Sequence, residues 1–100
     1  MLTVNDCIVF SELLPEEIEA ISRHEGLSFM VALEKGSSLL DNPWGAPAIR
    51  QMLRDNLSEA MRRNQSGHCL HLTEVYARFH ARHPGGVDRR LGSARNRFAR

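Results

Sequence analysis

The sequence predicts an all-α fold: a compact bundle of about five helices ending in an antiparallel helical hairpin, followed by a basic C-terminal tail. Three observations predict it. Apolar residues recur at helical spacing, and no long stretch alternates apolar and polar. Helix-boundary residues punctuate the chain at intervals: Pro15 before an acidic turn, Gly26 after it, Ser28 before the next apolar run, and Pro84-Gly85-Gly86 as a final stop. The charge is also segregated. Residues 85–100 carry five arginines against Asp88 alone, a net +4, which leaves −3 on residues 1–84.

The 100 residues are 42% hydrophobic and 25% charged, the usage of a single small globular domain rather than a disordered or fibrous chain. No apolar run approaches the ~18 residues of a membrane span. The N-terminus lacks the basic start, apolar stretch and small-residue cleavage site of a secretory signal. A cytoplasmic location is therefore expected, with Cys7 and Cys69 as free thiols in a reducing compartment. A bridge between them needs a Cα separation below about 7 Å.

Residues 4–12 admit two readings. Thr3 can cap a short helix with Asp6 at its third position, while Ile8 and Val9 suit a strand. Because no partner strand is evident, a short buried helix is expected. Residues 15–25 form a second helix, with proline at its start, acids in its first turn and Gly26 just past its end. Ser28 caps a third, whose face carries Phe29, Leu33, Gly36 and Leu40. Gly36 costs about 1 kcal/mol against alanine in a helix, so it either ends this one early or admits a close neighbour. Asp41-Asn42-Pro43-Trp44-Gly45 is a turn.

A fourth helix is expected from about Pro47, a favoured first-turn residue, with Ile49, Met52, Leu53, Leu57 and Ala60 on its apolar face. Glu59 and Arg63 are placed for an i,i+4 ion pair, and Asn56 lies close to the apolar centre, either buried to set register or solvated at an edge. Asn64-Gln65-Ser66-Gly67 then turns the chain, with Ser66 as the expected N-cap of the last helix. That helix carries Leu72, Val75, Tyr76 and Phe79 as one core-facing stripe and stops before Pro84. Residues 1–84 are thus the helical domain and residues 85–100 a flexible Arg-rich tail.

The segment EEIEAISRHEGLSFMVALEKGSSLL, followed by the two-helix stretch ending RFHARHP, resembles a group of small proteins from proteobacteria, mainly of the alpha class. In that group an acidic EEIxAIAEHE-type helix leads into an AxELG-type helix, and the last helix closes with HP. The resemblance covers roughly residues 12–84 and implies an all-helical fold without implying a mechanism. In the group a second histidine often follows two positions after the one matching His24. Here that position is Gly26, which weakens a paired-histidine metal motif.

Four of the five histidines, His68, His71, His80 and His83, fall in the last helix as two i,i+3 pairs. On a helical wheel His68 and His83 lie near the core stripe, and His71 and His80 lie at its flanks. Packing and dipole-complementing roles are available to them. The sharper expectation is a transition-metal site, for Zn or Fe, built from His24, His80 and His83 with Glu17 or Glu25 completing the coordination. The H-E-x-x-H and paired C-x-x-C zinc signatures are absent, and so are a G-x-S-x-G elbow, a recognisable Cys/His signature and a phosphate-cradling glycine loop. No catalytic residue or cofactor is therefore assigned.

Arg89, Arg90, Arg95, Arg97 and Arg100 of the tail could neutralise nucleic-acid phosphates. Arg50, Arg54, Arg62 and Arg63 add to a basic surface that Asp55 and Glu59 interrupt. Trp44, the single tryptophan, either caps the core between two helices or anchors a protein contact. The function expected from all this is that of a small non-enzymatic accessory or regulatory protein that binds another protein. Metal binding through the last-helix histidines and nucleic-acid binding through the tail are the alternatives.

Overall fold

The computed structural model describes residues 3–87. Within them lie five helices in the order α1 (Val4–Ser11), α2 (Pro15–Glu25), α3 (Phe29–Leu40), α4 (Gly45–Arg62) and α5 (Ser66–Arg82), with no strand among the described residues. The most extensive packing joins α4 to α5. Arg50, early in α4, bonds the carbonyl of His83 just beyond α5, so the two helices run antiparallel as the expected hairpin. Helix α2 packs on α3, α4 and α5, while α1 packs on α3.

Local sequence accounts for most boundaries. Thr3 and Asp6 form a reciprocal capping box at α1, through Asp6 N–H to Thr3 Oγ1 and Thr3 N–H to Asp6 Oδ2, both 3.1 Å. Ser28 caps α3 through Val31 N–H at 3.3 Å. Helix α2 closes on Gly26, whose φ of 66° is left-handed.

Two boundary expectations and one of burial are corrected. Ser66 is the first residue of α5 and not its cap, a position held by Gln65 without a side-chain hydrogen bond. The cause is Asn64, which adopts φ 56° and lets the Gln65 N–H fold back onto the Ala60 carbonyl at 3.0 Å, fixing Gln65 as the entry residue. Helix α4 starts at Gly45, two residues before Pro47. A Cβ at Gly45 would stand 1.6 Å from the Leu39 carbonyl oxygen, so only glycine allows the α3–α4 turn to close this tightly. Helix α1 forms, but it lies on the surface rather than buried: Cys7 and Ile8 are half-buried, whereas Val9 and Phe10 are 74% and 73% exposed.

The core gathers Ile18 and Ile21 of α2, Ala32 and Leu33 of α3, Ile49, Met52 and Leu53 of α4, and Val75 and Phe79 of α5, closed by Leu13 from the α1–α2 loop. Leu72, Val75 and Phe79 are buried as the stripe requires, with Tyr76 half-buried beside them. Burying each such large side chain stabilises the fold by about 1.5–3 kcal/mol. Helix α3 runs straight through Gly36 to Leu40. A Cβ at Gly36 would meet Leu13 Cδ1 at 2.6 Å and Ile21 Cδ1 at 2.9 Å, so this glycine admits close neighbours from the α1–α2 loop and α2.

One buried charge lies at the junction of these elements. Glu17 in the first turn of α2 is fully buried; its Oε1 accepts from the Leu14 N–H at 2.8 Å, and both its oxygens accept from Arg82. Residues 85–87, expected as the start of a flexible tail, are tied to the body. Arg50 Nη2 donates to the Gly85 carbonyl at 3.1 Å, and the Val87 N–H donates to the Pro43 carbonyl at 2.7 Å. The arginines of the expected tail, Arg89 to Arg100, lie outside the described residues.

Candidate functional site

His24, His80 and His83 serve separate local environments. His24, at the end of α2, has both ring nitrogens engaged by carboxylates: Nδ1 lies 2.7 Å from Glu25 Oε2 and Nε2 lies 2.9 Å from Asp55 Oδ2 of α4. His80 stacks on Tyr76 with ring centroids 6.0 Å apart, and His83 packs on Phe79 at 4.9 Å. Among the described residues no three His, Cys, Asp or Glu side chains form a group able to hold a metal ion. The expected convergence of His24, His80 and His83 is thus not formed. Glu17 is engaged by Arg82 and Glu25 by His24 and Lys35. The helical wheel placed the rings correctly: His68 and His83 are half-buried, and His71 and His80 are exposed.

The other singled-out residues have structural partners. Asn56 is half-buried and its Nδ2 donates to the Ala20 carbonyl at 3.0 Å, joining α4 to α2. Glu59 pairs with Arg63 at 2.8 Å, as the spacing predicts, and with Arg62 as well. Arg54 lies over the Tyr76 ring, 5.9 Å from its centroid. Trp44 is half-buried at the entry to α4. Cys7 and Cys69 are free, half-buried thiols. Among the described residues no helix is long and apolar enough to cross a membrane.

Two concave features among the described residues bear on function. The first is a polar cleft of about 520 Å³ between α2, α4 and the start of α5, lined by Arg23, His24, Asp55, Asn56, Glu59, Arg63, Gln65 and His68. Arg23 Nη1 lies 2.9 Å from His68 Nε2 across it. A guanidinium has no acceptor lone pair, so in this contact Arg23 donates and His68 Nε2 accepts. Burial pushes the His24 ring toward its neutral form. The hydrogen bonds that the ring donates to Asp55 and Glu25, helped by the carboxylates' charges, outweigh that and hold its pKa above the ordinary histidine value. The hydrogen bond from Lys35, and then the one from His24, holds the Glu25 carboxyl below its usual range. Through these contacts the α2 terminus is clamped to α3 by Glu25–Lys35 and to α4 by His24–Asp55.

The second feature is an open groove at the α1–α2 corner. Ile8, Val9, Leu13, Leu14 and Pro15 line it, with Glu12, Arg82 and His83 at its polar side. Phe10, on the same short helix, is exposed. His83 Nε2 is buried with no hydrogen-bond partner among the described residues.

Reading the sequence missed both features. The cleft unites residues 23, 55, 63 and 68, which share no motif, and α1 as a whole was expected to be buried. Arg23, in the last turn of α2, carried no signal in the sequence. Compared with known proteins, the chain matches no family model, no curated protein and no solved structure.

Proposed function

We propose that this chain is a small non-enzymatic helical accessory protein that binds a partner protein through α1 and the groove beneath it. The observation that carries this reading is the exposure of Val9 and Phe10, 74% and 73%, on a short helix whose Ile8 and Val9 line a groove of aliphatic side chains. A phenylalanine left in water forgoes the burial that a chain this small needs for its own core, and contiguous apolar surface of this kind marks interaction sites. Helix α1 is held by Cys7 and Ile8, which pack against the core, and by its capping box, so the apolar side chains are presented on a fixed support. Aromatic anchors carry a large share of binding energy at interfaces.

The test is a photo-crosslinking amino acid installed at position 10 in the native host. One discrete protein adduct is expected, lost on adding Val9→Ser and absent when the crosslinker is placed at exposed Glu74 on α5. Equal labelling from positions 10 and 74, or no adduct at position 10, would exclude α1 as the contact.

A further inference from the structure

We infer that the cleft between α2, α4 and α5 binds a small oxyanion, a phosphate or a carboxylate, gripped by Arg23 and Arg63, with His68 positioning the Arg23 guanidinium. The argument is one of charge matching. The two carboxylates in the cleft are already engaged: Asp55 accepts from His24 and from Gln51, and Glu59 from both Arg62 and Arg63. Glu59 therefore serves two guanidiniums with one negative charge. Arg23 has no carboxylate within ion-pair distance among the described residues, and its hydrogen-bond partner there is the His68 ring. Glu16 and Glu19 line the adjoining cavity, which Arg23 and His68 also border, yet the Arg23 side chain bonds His68 of α5 rather than either carboxylate.

A guanidinium presents five donors in a planar fork suited to oxyanions, and one contact to His68 leaves Arg23 with several to spare. Arg63 uses its Nε for Glu59, so its terminal nitrogens remain available to a ligand in the cleft. A single oxyanion would thus satisfy guanidinium donors from α2 and α4, with the His68 ring of α5 holding Arg23 in place through Nε2. The cleft, at about 520 Å³, has room for the anion and a small attached group.

The test titrates the full chain with inorganic phosphate, and separately with succinate, at constant ionic strength and pH 7.5, following side-chain resonances of Arg23 and His68. Saturable shifts in the millimolar range or tighter are expected for at least one anion, and the two arms distinguish a phosphate site from a carboxylate site. Arg23→Gln should weaken that binding by about 10-fold or more, and Arg63→Gln should weaken it measurably. Arg78→Gln, on an exposed part of α5 outside the cleft, should leave it unchanged. Arg23 is exposed, so its variant should keep the wild-type melting temperature, and loss of binding then reports on the site. No saturable shift with either anion, or equal binding by wild type and Arg23→Gln, overturns the assignment.

Discussion

Arg82, in the last turn of α5, holds the fully buried carboxylate of Glu17, in the first turn of α2, by two hydrogen bonds of 2.6 and 3.1 Å. The same guanidinium donates at 2.7 Å to the carbonyl of Glu12, which ends α1 with a left-handed φ of 63°. One side chain therefore fixes the α1–α2 corner and the end of α5 together. It also holds Glu12 in a conformation that costs a non-glycine residue roughly 1–2 kcal/mol.

Removing one partner of this pair strands the other. Arg82→Met should destabilise the fold by about 2–4 kcal/mol, because Glu17 stays buried without its counter-charge. Glu17→Gln should cost less, since the amide oxygen can still accept from the Leu14 N–H. Chemical denaturation of both variants checks this ordering, and equal or negligible losses would refute it.

The His24 clamp predicts a pH dependence whose sign is fixed by the shift. His24 titrates above its unfolded value, so its contribution is fully present below about pH 6.5 and is lost as pH rises through the folded pKa. The stability difference between wild type and His24→Gln should therefore shrink from pH 6 toward alkaline pH. Glu25 works in the opposite sense: its pKa is lowered, so its contribution is present above the ordinary carboxylate range and fades as pH falls through the folded value. Melting curves of the two single variants across pH separate the contributions. A His24 difference that grows with pH would contradict the assignment.

Gly45→Ala should cost at least about 2 kcal/mol, although alanine is the better helix former, because its Cβ would meet the Leu39 carbonyl oxygen, a backbone atom that cannot swing aside. Gly36→Ala should be far milder, since the atoms in its way are the tips of the Leu13 and Ile21 side chains. Thermal denaturation of the pair tests whether backbone or side-chain collision decides the outcome.

Phe79→Ala and Leu72→Ala should each cost about 2–5 kcal/mol, as large-to-small changes at buried sites. Val9→Ser and Phe10→Ser should change the melting temperature little, since both side chains already face water. The four variants together test which apolar residues serve the fold and which are free for a partner.

Deleting residues 85–100 should lower stability more than deleting residues 88–100, by roughly 1–2 kcal/mol, because only the longer deletion removes the Gly85 and Val87 backbone hydrogen bonds to Arg50 and Pro43. Identical melting curves for the two truncations would show that residues 85–87 contribute nothing to the body.

The all-α class, the five helices and the stripe of Leu72, Val75 and Phe79 were determined by the sequence itself. Helical periodicity, caps such as Thr3 and Ser28, and the stop at Gly26 act within a few residues, so local reading captures them. The exposure of Val9 and Phe10 was decided by tertiary structure. A short apolar helix looks the same whether it is covered or not, and only the docking of α1 chiefly on α3 leaves that face open. The histidines divide along the same line. Their angular position relative to the core stripe was legible, because it depends on one helix. Their partners were not, because Asp55 meets His24 from 31 residues away and Arg23 meets His68 across 45. Such meetings depend on how α2 lies across the α4–α5 hairpin, which is set by the shapes of many packed side chains together and is written in no single spacing.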